Sequence, residues 1–317
     1  MASTELKRPA KDFISIRDLS PEELVRLLDL AARLKTERKL RLKAPTASAL
    51  AGRHVAMLFE KPSLRTRSTF EIATRELGAE TLDVPAKFAE GVREPLQDVA
   101  RNLERWIDAI VVRTYAQSKV TTIASAAPNL HVINALTDDE HPCQALADLL
   151  TIRERLGRLE GVVLAFVGDG NNVYHSLALA GALAGMEVRL AHPAGYGPDE
   201  AILERARAIA ATTGGRIVVE RDPRAVAQGA HVLYTDAWTS MGQEAETERR
   251  RVAFGAYRID DALLAVAPAE AFVMHCLPAH RGEEISDAVM DGPQSAVFDQ
   301  AENRLHAQNA LLRAILA

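Results

Sequence analysis

The sequence predicts an α/β protein built of two doubly wound domains with parallel sheets, joined by interdomain helices. Short runs rich in Val, Ile and Leu recur between stretches of helical spacing, as expected of parallel strands covered on both faces. At 317 residues, with 48% apolar and 26% charged, the chain is long enough for two buried cores. A break falls near Thr151–Gly161, where the charged stretch Arg153-Glu154-Arg155 stops at Gly157 and a new strand–turn–helix unit opens at Val162. The expected domains are therefore 1–150 and 151–300, with a helix over 301–317 packing back on the first.

The first element is a helix. Ser20 is a natural N-cap, Pro21 suits the first helical position, and Glu23 completes a capping box. Leu24, Leu27, Leu28, Leu30 and Ala31 supply its apolar stripe. Strands are expected at His54–Phe59, Thr81–Val84, Ala109–Arg113 and His131–Asn134. A second series follows at Val162–Val167, Glu187–Ala191, Arg216–Val219, His231–Thr235, Phe272–His275 and Ala296–Phe298. The helix starting at His141 links the two series, and Ala301–Leu316 has helical spacing. Neither solenoid repeats nor low-complexity tracts occur.

Composition excludes several classes of function. With 38 basic and 43 acidic residues the net charge is −5, so no overall field draws in nucleic acid or an anionic membrane. The N-terminus lacks an apolar signal core and no run reaches membrane-span length, which predicts a soluble, cytoplasmic protein. The two cysteines, Cys143 and Cys276, lie far apart and each inside a polar motif, so a disulfide framework is not expected. The nine histidines form no HExxH or paired CxxC pattern, and no metal is expected. Gly168-Asp169-Gly170-Asn171-Asn172 follows a strand, but Val173 stands where a third glycine belongs. No acid occupies the ribose position either, so a dinucleotide cofactor is not expected.

The polar motifs fall at the carboxyl ends of the expected strands, where such folds bind ligands, often between domains. Ser63-Leu64-Arg65-Thr66-Arg67 packs two hydroxyls and two guanidiniums into a strand-to-helix turn. Free N–H groups, the positive end of the helix dipole and arginine forks all favour a phosphoryl group there; the alternative is a solvated basic helix start. Arg113-Thr114 closes the third strand. His141 and Gln144 lie one helical turn apart and share a face, able to donate to one carbonyl oxygen. Asn172 suits a carboxylate or amide. Asp236 can bind an ammonium group, assisted by Ser240, while the backbone at Met241-Gly242 meets a carboxylate. His275-Cys276-Leu277-Pro278 offers a thiol beside a histidine and a candidate cis peptide, though packed cysteines are often inert. Glu302-Asn303-Arg304 adds one more guanidinium.

Together these segments resemble the aspartate/ornithine carbamoyltransferase family. The matching stretches are Phe59 to Arg67, His141 to Asp148, Asp236 to Gly242, His275 to Pro278 and Glu302 to Arg304, in the family's order across nearly the whole chain. The resemblance implies transfer of the carbamoyl group of carbamoyl phosphate to the δ-amine of L-ornithine, without a cofactor, in a homotrimer or a higher assembly of trimers. It implies carbamoyl phosphate contacts at Ser63, Leu64, Arg65, Thr66, Arg67, Arg113, His141, Gln144, Cys276, Leu277 and Arg304. Ornithine contacts are implied at Asn172, Asp236, Ser240 and Met241, and catalytic roles for Arg113, His141, Asp236, Cys276 and Arg304. Two departures stand out. Leu64 replaces the family's threonine, removing one hydroxyl, and the loop Phe88 to Glu94 lacks the expected glutamine, with Arg93 the candidate substitute. Rival readings are an aspartate, acetylornithine or putrescine enzyme of the family, a non-catalytic anion-binding protein, and a nicotinamide oxidoreductase.

Overall fold

The computed structural model describes residues 11–89, 93–240 and 242–317. Nine strands and twelve α-helices are found among them. The strands are β1 (His54–Phe59), β2 (Glu80–Val84), β3 (Ala109–Arg113), β4 (His131–Leu136), β5 (Val163–Val167), β6 (Glu187–Ala191), β7 (Arg216–Glu220), β8 (Val232–Thr235) and β9 (Phe272–His275). The first six helices are α1 (Pro21–Glu37), α2 (Leu64–Glu76), α3 (Leu96–Leu103), α4 (Gln117–Ala126), α5 (Pro142–Leu156) and α6 (Asn172–Leu183). The others are α7 (Glu200–Thr213), α8 (Pro223–Ala227), α9 (Thr247–Phe254), α10 (Asp261–Leu264), α11 (Asp287–Met290) and α12 (Val297–Leu316).

The described residues form two compact units, one within 11–138 together with 305–317, the other within 139–304. In the first, a parallel sheet has strand order β2-β1-β3-β4. Its core includes Ala56, Leu58, Ile110, Val112 and Val132 from the strands, with Val99, Leu103, Val120 and Ile123 from α3 and α4. α1 forms as its sequence dictates: Ser20 and Glu23 make a reciprocal capping box, Pro21 sits at the first position, and Leu24, Leu27, Leu28, Ala31 and Leu34 are buried. Each buried leucine of that stripe contributes about 2 kcal/mol.

The second unit holds a parallel sheet of order β7-β6-β5-β8-β9. Ala165, Val167, Leu233 and Val273 meet Val226, Ile259 and Val289 in its core. Following β5 in the chain, α6 is buried along almost its whole circumference from Val173 to Leu183, which explains its lack of a polar face. Gly157, in the left-handed conformation at φ +71°, ends α5 where the sequence break was expected.

One expected strand is absent. Ala296–Phe298 is not a strand; Ala296 pairs its N–H with Val273 and the chain then enters α12 at Val297. Val297 is buried and Phe298 exposed, so a short apolar run here marks one side of a helical turn rather than a strand.

Strand order reverses around β1 and β3 in one sheet and around β5 and β8 in the other. Such switch points open a crevice at the carboxyl ends of the diverging strands. Those ends carry Ser63 to Arg67 and Arg113 in the first unit, and Asn171, Asn172 and Asp236 in the second. Among the described residues, no helix is long and apolar enough to cross a membrane.

Candidate active site

In the first unit the turn after β1 brings a helix N-terminus and guanidiniums together. Phe59 lies in register with Arg113, which sets the carboxyl end of β3 beside the start of the turn. Ser63 caps α2, its hydroxyl accepting from the Thr66 N–H at 3.2 Å. The first turn of α2 contains no acidic residue, so the helix itself sets no carboxylate against its N–H groups and dipole. Arg113 and Thr66 are both buried and face each other, Arg113 Nη1 lying 3.5 Å from Thr66 Oγ1.

The two guanidiniums of the motif separate by partner. Arg67 is held by Glu71 on its own helix at 3.1 Å and by Asp83 on β2. Arg65 is half-buried and, among the described residues, has no carboxylate partner. Leu64 is 78% exposed. Glu90, Gly91 and Val92 of the 85–95 loop lie outside the described residues. Lys61, inside the motif but not singled out from sequence, is buried; its Nζ lies 2.5 Å from Asp138 and 4.3 Å from the centre of the Tyr115 ring.

The second unit gathers two clusters. In one, His141 and Pro142 open α5, and the His141 N–H donates to Ser176 Oγ at 2.9 Å. One turn on, Gln144 accepts from Arg304 Nη1 at 2.8 Å and donates to Asp148 at 2.8 Å. In the other, Asn171 caps α6 with its carbonyl and donates its amide N–H to Asp236 at 2.8 Å. Asn172 is the first residue of α6. Asp236 also accepts from the Ala237 N–H at 2.8 Å and from the Cys276 thiol at 2.9 Å.

Burial, reinforced by the facing Asp236 carboxylate, pushes the Cys276 thiol well above its ordinary pKa. It therefore stays a neutral donor, and thiolate chemistry at neutral pH is disfavoured. Thr235 lies in register with His275, which is why Asp236 and Cys276 meet. Leu277 has φ +60°, and its peptide to Pro278 is cis. A branched side chain at positive φ is strained, and such strain concentrates at sites that must aim a backbone group. The Leu277 N–H donates to His275 Nδ1 at 2.9 Å, and His275 Nε2 meets Glu284 at 3.0 Å.

Asp236, His275 and Cys276 each bring a potential metal-ligand atom within 4.8 Å of the others. Both ring nitrogens of His275 and both carboxylate oxygens of Asp236 already serve protein partners.

Ser240 pairs with Gln243, its N–H 3.2 Å from Gln243 Oε1 and its carbonyl accepting from the Gln243 N–H at 3.0 Å. Gly242 follows at φ +93°; Met241 lies outside the described residues. This segment is tethered by Arg250, which the sequence reading missed. Arg250 is buried, donates to the Trp238 carbonyl at 2.8 Å and pairs with Asp169 at 2.6 Å. Asp169 thus belongs to a structural ion pair, and an added Cβ at Gly170 would lie 2.3 Å from the Pro198 nitrogen. Gly170 therefore serves the close approach of the Gly197-Pro198 backbone.

Chemically, one unit offers a helix N-terminus with a guanidinium that has no carboxylate partner among the described residues. The other offers a carboxylate suited to an ammonium group, a neutral thiol, and a guanidinium donor beside a glutamine carbonyl acceptor.

Two family descriptions cover the chain: the carbamoyl-P binding domain of aspartate/ornithine carbamoyltransferase over residues 11–154, and the Asp/Orn binding domain over 160–315. The chain belongs to the aspartate/ornithine carbamoyltransferase family. It is 54% identical over 308 residues to an ornithine carbamoyltransferase of Acidothermus cellulolyticus, covering 96% of each chain. Among solved structures, the ornithine carbamoyltransferase of Pyrococcus furiosus matches with a TM-score of 0.92 at 44% identity, covering 96% of each chain. That of Gloeobacter violaceus matches at 0.88 and 47%, covering 98% of this chain and all of that one.

Proposed function

We propose that this protein transfers the carbamoyl group of carbamoyl phosphate to the δ-amine of L-ornithine, releasing L-citrulline and phosphate. The observation that carries the choice of acceptor is Asp236. An acid held by Asn171, the Ala237 N–H and Cys276 suits the α-ammonium of a diamino acid, whereas aspartate would need cations for its second carboxylate. Relatives about half identical over nearly their full length, all ornithine carbamoyltransferases by name, support the same choice.

Carbamoyl phosphate is bound by the α2 N-terminus with Ser63, the Leu64 backbone, Arg65 and Thr66, while Arg67 steadies the turn through Glu71 and Asp83. Arg113, His141 and Arg304 donate to the carbamoyl oxygen as charge grows on it, and Gln144 accepts from its NH₂. One such preorganised donor is worth about 3–4 kcal/mol in the transition state. Ornithine is held by Asp236 and Ser240 at the α-ammonium, and by Asn172 and the Met241 backbone at the α-carboxylate. A free δ-ammonium titrates near ~10, so it must lose a proton before attack. The Leu277 carbonyl and the neutral Cys276 thiol orient that nitrogen. Its lone pair forms the C–N bond, the bond to the phosphate oxygen breaks, the attacking nitrogen gives up its extra proton to the departing phosphate, and no covalent enzyme intermediate forms.

Carbamoyl phosphate binds before ornithine, and the protein acts in cytoplasmic arginine metabolism as a homotrimer or a higher assembly of trimers. The test is a carbamoylation assay across ornithine, aspartate, acetylornithine and putrescine. Preference for ornithine by several orders of magnitude is expected; preference for any other acceptor overturns the assignment.

A further inference from the structure

Asp148 lies on α5 one turn after Gln144 and is fully buried. Its Oδ1 accepts from Gln144 Nε2 at 2.8 Å and from Gln300 Nε2 at 2.7 Å, and its Oδ2 from the Tyr234 hydroxyl at 3.1 Å. Each partner leads on to a different part of the site. Gln144 Oε1 accepts from Arg304 Nη1 at 2.8 Å. Gln300 Oε1 accepts from the His275 N–H at 2.8 Å, next to Cys276. Tyr234 is two residues before Asp236 on β8.

An amide is ambiguous in orientation until a neighbour of fixed polarity decides it. A carboxylate only accepts, so Gln144 must turn its NH₂ toward Asp148 and its carbonyl toward Arg304. The carbonyl then keeps a lone pair for a ligand N–H. With the amide reversed, Gln144 would set N–H against the Arg304 guanidinium, and an NH₂ against the carbamoyl NH₂.

We infer that Asp148 is a positioning residue for carbamoyl transfer, its carboxylate setting the amide of Gln144 and, through it, the Arg304 guanidinium. The inference rests on the proposed function and adds a residue that touches neither substrate. The groups facing Asp148 from neighbouring elements are Arg304 on α12, Tyr234 on β8 and Cys276 after β9, with Asp236 acting on both Tyr234 and Cys276. Burial pushes Asp148 up to about 7, against the lowering pull of its three hydrogen bonds and of Arg304. As pH falls below neutrality and Asp148 takes up a proton, its hydrogen bond to Gln144 loses its charge assistance, and the hold on the amide weakens.

Two variants test this. Asp148→Asn keeps the shape and removes the charge. kcat/KM for carbamoyl phosphate is expected to fall at least roughly tenfold, with KM for ornithine changed less than about threefold and a thermal midpoint no lower than wild type. Tyr234→Phe leaves the carboxylate but removes a donor that lowers its pKa. The acid limb of log kcat/KM for carbamoyl phosphate is expected to move up by roughly half a unit or more. A D148N enzyme within twofold of wild type overturns the inference, and so does an unmoved acid limb in Y234F, which decides the matter if D148N does not fold. Wild-type protein that carbamoylates no ornithine would instead remove the proposed function itself.

Discussion

Arg65 and Arg67 differ by two positions and by everything that surrounds them, which makes their comparison informative. Arg67 is paired with Glu71 and Asp83, whereas Arg65 has no carboxylate partner among the described residues. Arg65→Ala removes a fork able to make two charge-assisted hydrogen bonds to a phosphoryl group, each worth about 1.5–3 kcal/mol. Solvent competes for a half-exposed guanidinium, which brings the sum to about 3 kcal/mol. Affinity for carbamoyl phosphate should therefore drop roughly a hundredfold. Arg67→Ala breaks ion pairs on a side chain that is 37% exposed, worth about 0–1 kcal/mol of stability, and should change affinity less than about threefold. Calorimetric titration with inorganic phosphate, together with KM for carbamoyl phosphate, reads both variants. Unchanged saturation in R65A, or an equal loss in R67A, would refute the assignment of the clamp.

Further consequences follow from the second unit. Asp236→Asn should raise KM for ornithine roughly ten- to a hundredfold, because an amide cannot pair with an ammonium as a carboxylate does, while KM for carbamoyl phosphate stays near wild type; steady-state kinetics in both substrates checks this. Cys276→Ala should keep kcat within about tenfold of wild type, since the thiol is a neutral donor to Asp236. A loss of about 10⁴ or more would make it a nucleophile. Stability also carries a signature of Asp148, whose folded pKa of about 7 lies above the ordinary 3.8. The folded chain thus holds this proton longer than the unfolded one, so its contribution is fully present below pH ~4 and is lost as pH rises through ~7. Relative to D148N, urea unfolding should show wild type losing up to about 4 kcal/mol across that window. A constant difference across it would contradict the pKa.

What the sequence revealed depended on whether the deciding partner was near in the chain. The capping of α1 needed only Ser20, Pro21 and Glu23, all adjacent, and the strands of both sheets were legible as apolar runs. Ala296–Phe298 misled for the same reason, because a three-residue apolar run has no period of its own. Grouping of the polar motifs followed from topology, since those after β1, β3, β5 and β8 sit at the switch points of their sheets. The distinction between Arg65 and Arg67 was hidden, because Asp83 stands 16 residues away on β2. Asp148 lay inside the quoted motif. Its meaning depends on Tyr234 and Gln300, 86 and 152 residues distant, and no local pattern announces them. Arg250 was equally silent, a charged residue in a run of three arginines whose burial appears only once Asp169, 81 residues before it, is in place.

The most direct measurement follows isotope from the carbamoyl carbon of carbamoyl phosphate in the presence of the purified protein and L-ornithine. Label should appear on the δ-nitrogen of the amino acid, with one phosphate released for each citrulline formed. Label found only in carbonate or cyanate, on the α-nitrogen, or still in the donor would contradict the account at its centre.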